Sequence, residues 1–270
     1  ITNLNLSGEL TSITSSFEPC IGGLAGSMKN ASLTNVTITM DITVTSNNGI
    51  AKVGGVAGES TSTNYDSVHY WGSISNTNAI SGRFVGLLRQ SNKAVTINRS
   101  SGRGALTVSG GEQSPTGGFI GQMLDNYTLI KESKAWGAVT GPNYVGGFIG
   151  YMGCGRIQDA YSMDEVKATA TSLVHVGGFV GRVEGYNNLM TNCLAMNTIP
   201  LVTGTDVFQG AFVGVTPGGT HATIYENCAY NKTLTSLDRI GNTATGRGDG
   251  ITGYTIDELI KMVSSPGGTT

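Results

Sequence analysis

Val176-Gly-Gly-Phe-Val-Gly181 is one of seven versions of a single short phrase in this 270-residue chain. The others occupy residues 21–26, 53–58, 81–86, 116–121, 145–150 and 209–214, and their closing glycines are 32, 28, 35, 29, 31 and 33 residues apart. A near-constant period in this range marks a stacked-repeat protein, in which each unit buries its apolar face against its neighbours. The expected fold is all-β: a right-handed parallel β-helix, or β-solenoid, of about seven to eight coils over residues 1–245. A Gly-rich loop, a short helix and a linker tail are expected over 246–270.

Outward from the phrase, each repeat carries three strand-like segments. The first is the glycine-rich phrase, whose aromatic position holds Leu24, Val56, Phe84, Phe119, Phe148, Phe179 and Phe212. The second reads as residues 97–105, 130–136, 157–161, 190–195 and 225–229. The third alternates apolar and polar residues, as in Asp41-Ile-Thr-Val-Thr45 and Gly104-Ala-Leu-Thr-Val108. Alternation of period two puts one face in and one face out. Coils stacked at about 4.8 Å bring equivalent residues directly above one another. The phenylalanines then become an inward ladder, and the glycines beside them supply either positive φ at a corner or room for close approach.

Composition agrees. Glycine makes up 41 residues, roughly twice its usual share of about 7%. Charged residues are only 13%, where about 25% is usual. The glycines follow the repeat and not a Gly-X-Y triplet, which excludes collagen, and 39% hydrophobic residues argue against disorder. A net charge of −2 gives no footprint for nucleic acid. No apolar run approaches the roughly 18 residues of a membrane span. Ile1-Thr-Asn-Leu-Asn-Leu-Ser-Gly8 resembles the middle of later repeats, so the chain is expected to be a processed or excised piece of something larger.

Val145-Gly-Gly-Phe-Ile-Gly150 and Val176-Gly-Gly-Phe-Val-Gly181, with Asn192-Cys193-Leu-Ala195 behind them, resemble the GLUG repeat over roughly residues 1–243. Ser81-Gly82-Arg83 and Gly210-Ala211 depart from it, each lacking one of the paired glycines. The resemblance implies a parallel β-helix on display outside the cell, as in large surface-attached and adhesin-like proteins and in non-catalytic regions of some IgA-cleaving metallopeptidases. It implies no ligand.

Several groups of residues could carry chemistry. Cys193 and Cys228 share one inward column with Ser100, Ser133 and Ala160, and read as stacked core thiols close enough for a disulfide. Cys20 and Cys154 stand apart, so there is no cysteine framework and no CxxC metal site. His69, His175 and His221 fall in different coils without ligand spacing. One residue before the Cys column lie Arg99, Glu132 and Asp159, pointing outward in successive coils. Two carboxylates at such a spacing are what a retaining glycosidase uses, and the bland alternative is a surface ladder in which Arg99 offsets the acids. Trp71, Arg103 and Trp136 each precede the glycine that opens the third segment, and parity turns all three outward. They would sandwich a guanidinium between two indoles or offer a flat face to sugar rings, with Lys134 and Tyr161 nearby. A self-satisfied stack is the plainer reading. Arg247-Gly248-Asp249 resembles an integrin-recognition tripeptide but reads first as linker. Six Asn-X-Ser/Thr sequons, at Asn5, Asn30, Asn35, Asn98, Asn126 and Asn231, matter only in a eukaryotic source.

Thr255-Ile-Asp-Glu258 is a capping box, and Ile256, Leu259, Ile260 and Val263 form an apolar stripe on a helix expected to pack over or beside the last coil. The sequence therefore predicts a non-enzymatic structural or adhesive module of a larger extracellular or cell-surface protein, without metal or cofactor. Its partners would be flanking domains or neighbouring subunits at the solenoid ends, and surface glycans. A carbohydrate-binding domain using the Trp/Arg face is the first alternative, and a polysaccharide hydrolase or lyase the second.

Overall fold

The glycine-rich phrases build a seven-stranded parallel sheet with one strand from each coil. The remaining strands join one continuous parallel sheet of twenty strands that bends around the coils. The computed structural model describes residues 1–14, 18–47, 49–111, 114–185, 187–216, 223–242 and 248–264. Coils pair in register over long stretches: Thr2–Thr14 lies on Ser32–Ser46, and Lys134–Gly141 lies on Tyr161–Ala168. The chain is a parallel β-solenoid of about seven turns, as the repeat predicts.

Phe84, Phe119, Phe148, Phe179 and Phe212 are fully buried and stack with ring centroids 4.5, 4.8, 4.8 and 5.0 Å apart. An edge-on tyrosine closes each end of the ladder, Tyr65 at 5.1 Å from Phe84 and Tyr225 at 6.2 Å from Phe212. Burying each ring stabilises by about 1.5–3 kcal/mol, with roughly 0.5–1.5 more for each offset stack. Backbone bonds run up the same corner, from Phe119 N–H to the Phe148 carbonyl at 2.8 Å and from Phe148 to Phe179 at 2.9 Å.

The glycines of the phrase are there for backbone contact. A Cβ on Gly147 would stand 2.2 Å from the Gly178 carbonyl, and one on Gly150 2.5 Å from the Thr116 nitrogen. Their φ values are ordinary, so positive φ is not the cause here. The close approach is to backbone, and at Gly55 a Cβ would meet the Tyr70 ring at 2.3 Å as well as the Arg83 carbonyl at 2.1 Å. Tyr70 points inward without a bulge, in register with Ile38 and Gly102, and donates its hydroxyl proton to the Met40 carbonyl at 2.6 Å.

Arg83 occupies the second glycine's place in the third phrase, and its side chain is completely buried. Gly102 makes the room, since a Cβ there would lie 2.8 Å from the Cβ of Arg83. The guanidinium donates to the carbonyls of Gly118 (3.3 Å) and Ala138 (2.7 Å), and pairs with the equally buried Asp164 at 2.7 Å. Asp164 belongs two coils further on, so one side chain ties three successive coils together. Asn197 continues the network, accepting from the Asp164 N–H and donating to Ser162 Oγ at 2.8 Å and to the Gly178 carbonyl.

Residues 238–241 form an eighth, degenerate phrase. Ala211 N–H donates to the Asp238 carbonyl, Phe212 N–H to Arg239, and Ile240 bridges Val213 in parallel, which puts Arg239 in the phenylalanine column. Ile251–Tyr254 then pairs in parallel with Cys228–Asn231, so solenoid pairing continues past residue 245. The helix, Ile256–Ser264, has the expected capping box: Thr255 N–H donates to Glu258 Oε2 at 2.7 Å and Glu258 N–H to Thr255 Oγ1 at 3.2 Å. It sits beside the last coil, joined to it near its start through Thr233 and Lys232. Ile256 and Ile260 are exposed, the latter by 55%.

The Arg83–Asp164 pair yields a double-variant test. Asp164→Asn keeps the shape but leaves a buried cation unpaired, so urea unfolding should show a loss of about 3–5 kcal/mol. Arg83→Met with Asp164→Leu removes both charges and should recover most of that loss. A double variant as unstable as Asp164→Asn would mean that the charge pair is not the source of the effect.

Candidate functional site

The residue before the Cys column forms a corner of the solenoid. Asn3, Asn35, Ser67, Arg99, Glu132, Asp159, Asn192 and Asn227 all have φ between 47 and 54°. Asparagine and aspartate tolerate this left-handed conformation best among residues with a Cβ. Here they also bond along the stack, Asn35 Nδ2 to Asn3 Oδ1 at 2.7 Å and Asn192 Nδ2 to Asp159 Oδ1 at 2.8 Å.

Glu132 and Asp159 therefore sit on the same outer corner of consecutive coils, with surroundings other than those the alternation predicts. Arg99 turns away from Glu132 and grips Asp66 in the preceding coil through Nη2 at 2.7 and 2.8 Å and Nε at 3.2 Å. That bond is the main cause holding the Asp66 carboxyl below its usual range. Glu132 is exposed and faces Lys131 at 3.9 Å, while Asp159 accepts from Asn192 and from Gln158 at 2.9 Å. The two acids thus have different partners, an ammonium for one and two amides for the other.

The aromatic face is assembled as the sequence predicts, with one change. Arg103 is in register with Trp71 on one side and Trp136 on the other. Its guanidinium lies 5.9 Å from the Trp136 ring, and Lys134 Nζ shares that ring at 5.2 Å. Trp71 instead stacks on His69 at 6.4 Å, so the expected two-indole sandwich is replaced by one cation-loaded indole and one indole–imidazole pair. Trp71 remains 43% exposed. The column continues into Met163, 48% exposed and in register with Trp136, with the exposed Tyr161 beside it. Met163 lies three residues after Ala160, as Trp136 lies three after Ser133, so the same count carried one coil further would have found it.

A second aromatic group was not anticipated. Tyr144 stacks on His175 at 5.1 Å and His175 lies 5.6 Å from Phe208, again in successive coils. Arg182 stands 5.5 Å from the Tyr144 ring, and Tyr151 donates its hydroxyl to Glu184 at 2.9 Å. Burial, then the Glu184 carboxylate, pushes the Tyr151 phenol up to about 12. Burial drives His175 down to about 4, and its Nδ1 is enclosed without a hydrogen-bond partner. The signal was available, because these aromatics also recur at the repeat period.

Cys193 and Cys228 are buried in one column as free thiols, and burial raises the Cys193 pKa. Among the described residues no group of three or more His, Cys, Asp or Glu is placed to hold a metal ion. His221 and Arg247 lie outside the described residues. No protein-family model, curated protein or solved structure matches this chain.

Two outcomes follow from this geometry. Glu132→Asn places a residue suited to left-handed backbone on the corner, and should raise stability by about 0.5–1 kcal/mol in chemical denaturation. A loss would show that Glu132 makes a contact worth more than the strain. His175 has a folded pKa of about 4, below its ordinary 6.5, so the unfolded chain takes up the proton first as pH falls. Its contribution is intact above pH 6.5 and is lost progressively towards pH 4. Thermal melts across that window should fall less steeply for His175→Phe than for the wild type.

Proposed function

We propose that this chain is a non-enzymatic structural and adhesive module of a larger extracellular or cell-surface protein, a stiff rod that presents ligand-contacting side chains along one face. The observation that carries the reading is the outward column of Trp71, Arg103, Trp136 and Met163, held in register on successive coils, with Trp136 half-buried and the other three exposed. Aromatic rings fixed at strand spacing on a rigid backbone give a flat, pre-organised surface, and little freedom is lost when a partner stacks on it. The phrase repeat, with its likeness to the GLUG repeat of adhesin-like surface proteins, supports the same reading. The open edge of the Thr2–Thr14 strand offers a place for a flanking domain or subunit.

A carbohydrate-binding face is the second reading, and the exposed rings of Trp71 and Tyr161, on the coils at the two ends of the stripe, favour it. One pair of assays separates these from a polysaccharide-cleaving enzyme. Beads coated with the protein should be retained on a mucin surface at least ten-fold better than beads coated with the Trp71→Ala, Trp136→Ala double variant. Incubation with a polysaccharide panel should release no new reducing ends. Turnover that disappears in Glu132→Gln would overturn the non-enzymatic reading, and equal retention of both proteins would remove the adhesive role from this face.

A further inference from the structure

Away from the aromatic face, an open cleft of about 630 Å³ lies where the end of the glycine-rich segment turns into the second segment. That volume falls within the range of small-ligand sites, about 300–1,000 Å³. Two departures from the plain repeat build it. The first is the loop of residues 89–94, fixed to the neighbouring coil by a 2.7 Å contact between the Ser62 and Ser91 hydroxyls and by the Arg89 N–H bond to the Ser60 carbonyl. The second is an irregularity in the Ile120–Lys131 strand, where the register shifts on both sides of Leu124.

Within that irregularity, the buried Asp125 accepts from the Tyr127 N–H at 3.0 Å and from the Thr128 hydroxyl at 2.6 Å. This turn pushes the Tyr127 ring out beside the cleft, where it is 52% exposed. The cleft is lined by Lys29, Lys93 and Tyr127 together with the amides and hydroxyls of Asn30, Ser62, Gln90 and Asn92, among others, and by no carboxylate. Neither lysine enters an ion pair among the described residues. In a chain whose net charge is −2, two unpaired ammonium groups facing one cleft are a local reversal of sign.

We propose that this cleft binds an acidic saccharide, a sugar unit carrying carboxylate or sulfate. The two ammonium groups meet the anion, the amides and hydroxyls meet sugar hydroxyls, and the tyrosine ring packs on the apolar face of the pyranose. The site is separate from the Trp71–Trp136 column, so it neither needs nor supplies the adhesive role assigned there.

Titration calorimetry on the whole chain tests it with three probes: a trigalacturonate for carboxylate, a heparin-derived tetrasaccharide for sulfate, and maltotriose as a neutral control. At least one acidic probe should bind, with affinity falling as salt is raised, and maltotriose should not. Lys29→Ala with Lys93→Ala should weaken binding at least ten-fold, and Tyr127→Ala about five- to ten-fold. Lys167→Ala, a lysine on another face, should leave it unchanged. Maltotriose binding as well as the acidic probes, no acidic probe binding at millimolar concentration, or equal loss in Lys167→Ala and in the double lysine variant would each overturn the proposal. Because the test turns on Lys29, Lys93 and Tyr127, its failure is distinguishable from failure of the adhesive reading, which turns on Trp71 and Trp136.

Discussion

Backbone packed against backbone along the glycine-rich corner is the constraint on which the other features rest. At that corner each coil approaches the next so closely that a single Cβ would overlap a carbonyl or amide nitrogen. The contact fixes the rise between coils at the strand spacing, and with it the offset of the phenylalanine rings. Every column on the outer surface inherits the same alignment. The Trp/Arg stripe, the Tyr144–His175–Phe208 stack and the left-handed asparagine corner are consequences of one stacking rule applied at different positions around the coil.

Interior volume is shared out across that corner. Where Gly55 leaves space, Tyr70 fills it; where Arg83 replaces the glycine, Gly102 retreats in the facing column. The polar alternative is accommodated only because its bonding is nearly complete. Arg83 finds two carbonyls and a carboxylate, and Asp164 has Asn197 bonded to its backbone, while one atom on each side, Arg83 Nε and Asp164 Oδ2, stays without a partner. Burial pushes the Asp164 carboxyl up against the opposing pull of Arg83. Such a pair adds less to stability than an apolar filling of the same volume, and it sets which coils belong together.

The fold was legible because the same phrase recurs seven times and strand alternation tells in from out without a structure. The phenylalanine ladder, the capping box at Thr255 and the outward column at Trp71, Arg103 and Trp136 all follow from counting. Partners chosen by side-chain direction were not legible. Parity places Arg99 beside Glu132, and only geometry shows that it reaches back to Asp66, one residue off its own column. Arg83 was visible as a departure from the paired glycines, but its partner lies 81 residues away, at Asp164, which replaces the glycine that Gly104 and Gly137 supply in the preceding coils. The eighth phrase escaped notice because Arg239 stands where phenylalanine does elsewhere and the paired glycines are missing. The cleft beside Tyr127 arises from insertions, which a search for regularity passes over.

Repeat arrays change length readily, since whole units can be lost or duplicated without disturbing the stacking of those that remain. The segment between residues 83 and 164 is denied that freedom. Removing or adding one coil there would change the reach required of the Arg83 side chain by a full strand spacing and leave an ion stranded in the interior. Among the described residues, units before residue 83 and after residue 164 carry no ion pair that spans three coils. Homologous chains should therefore vary in coil number at the two ends and keep a constant count in the middle, as though the array had been measured from its centre.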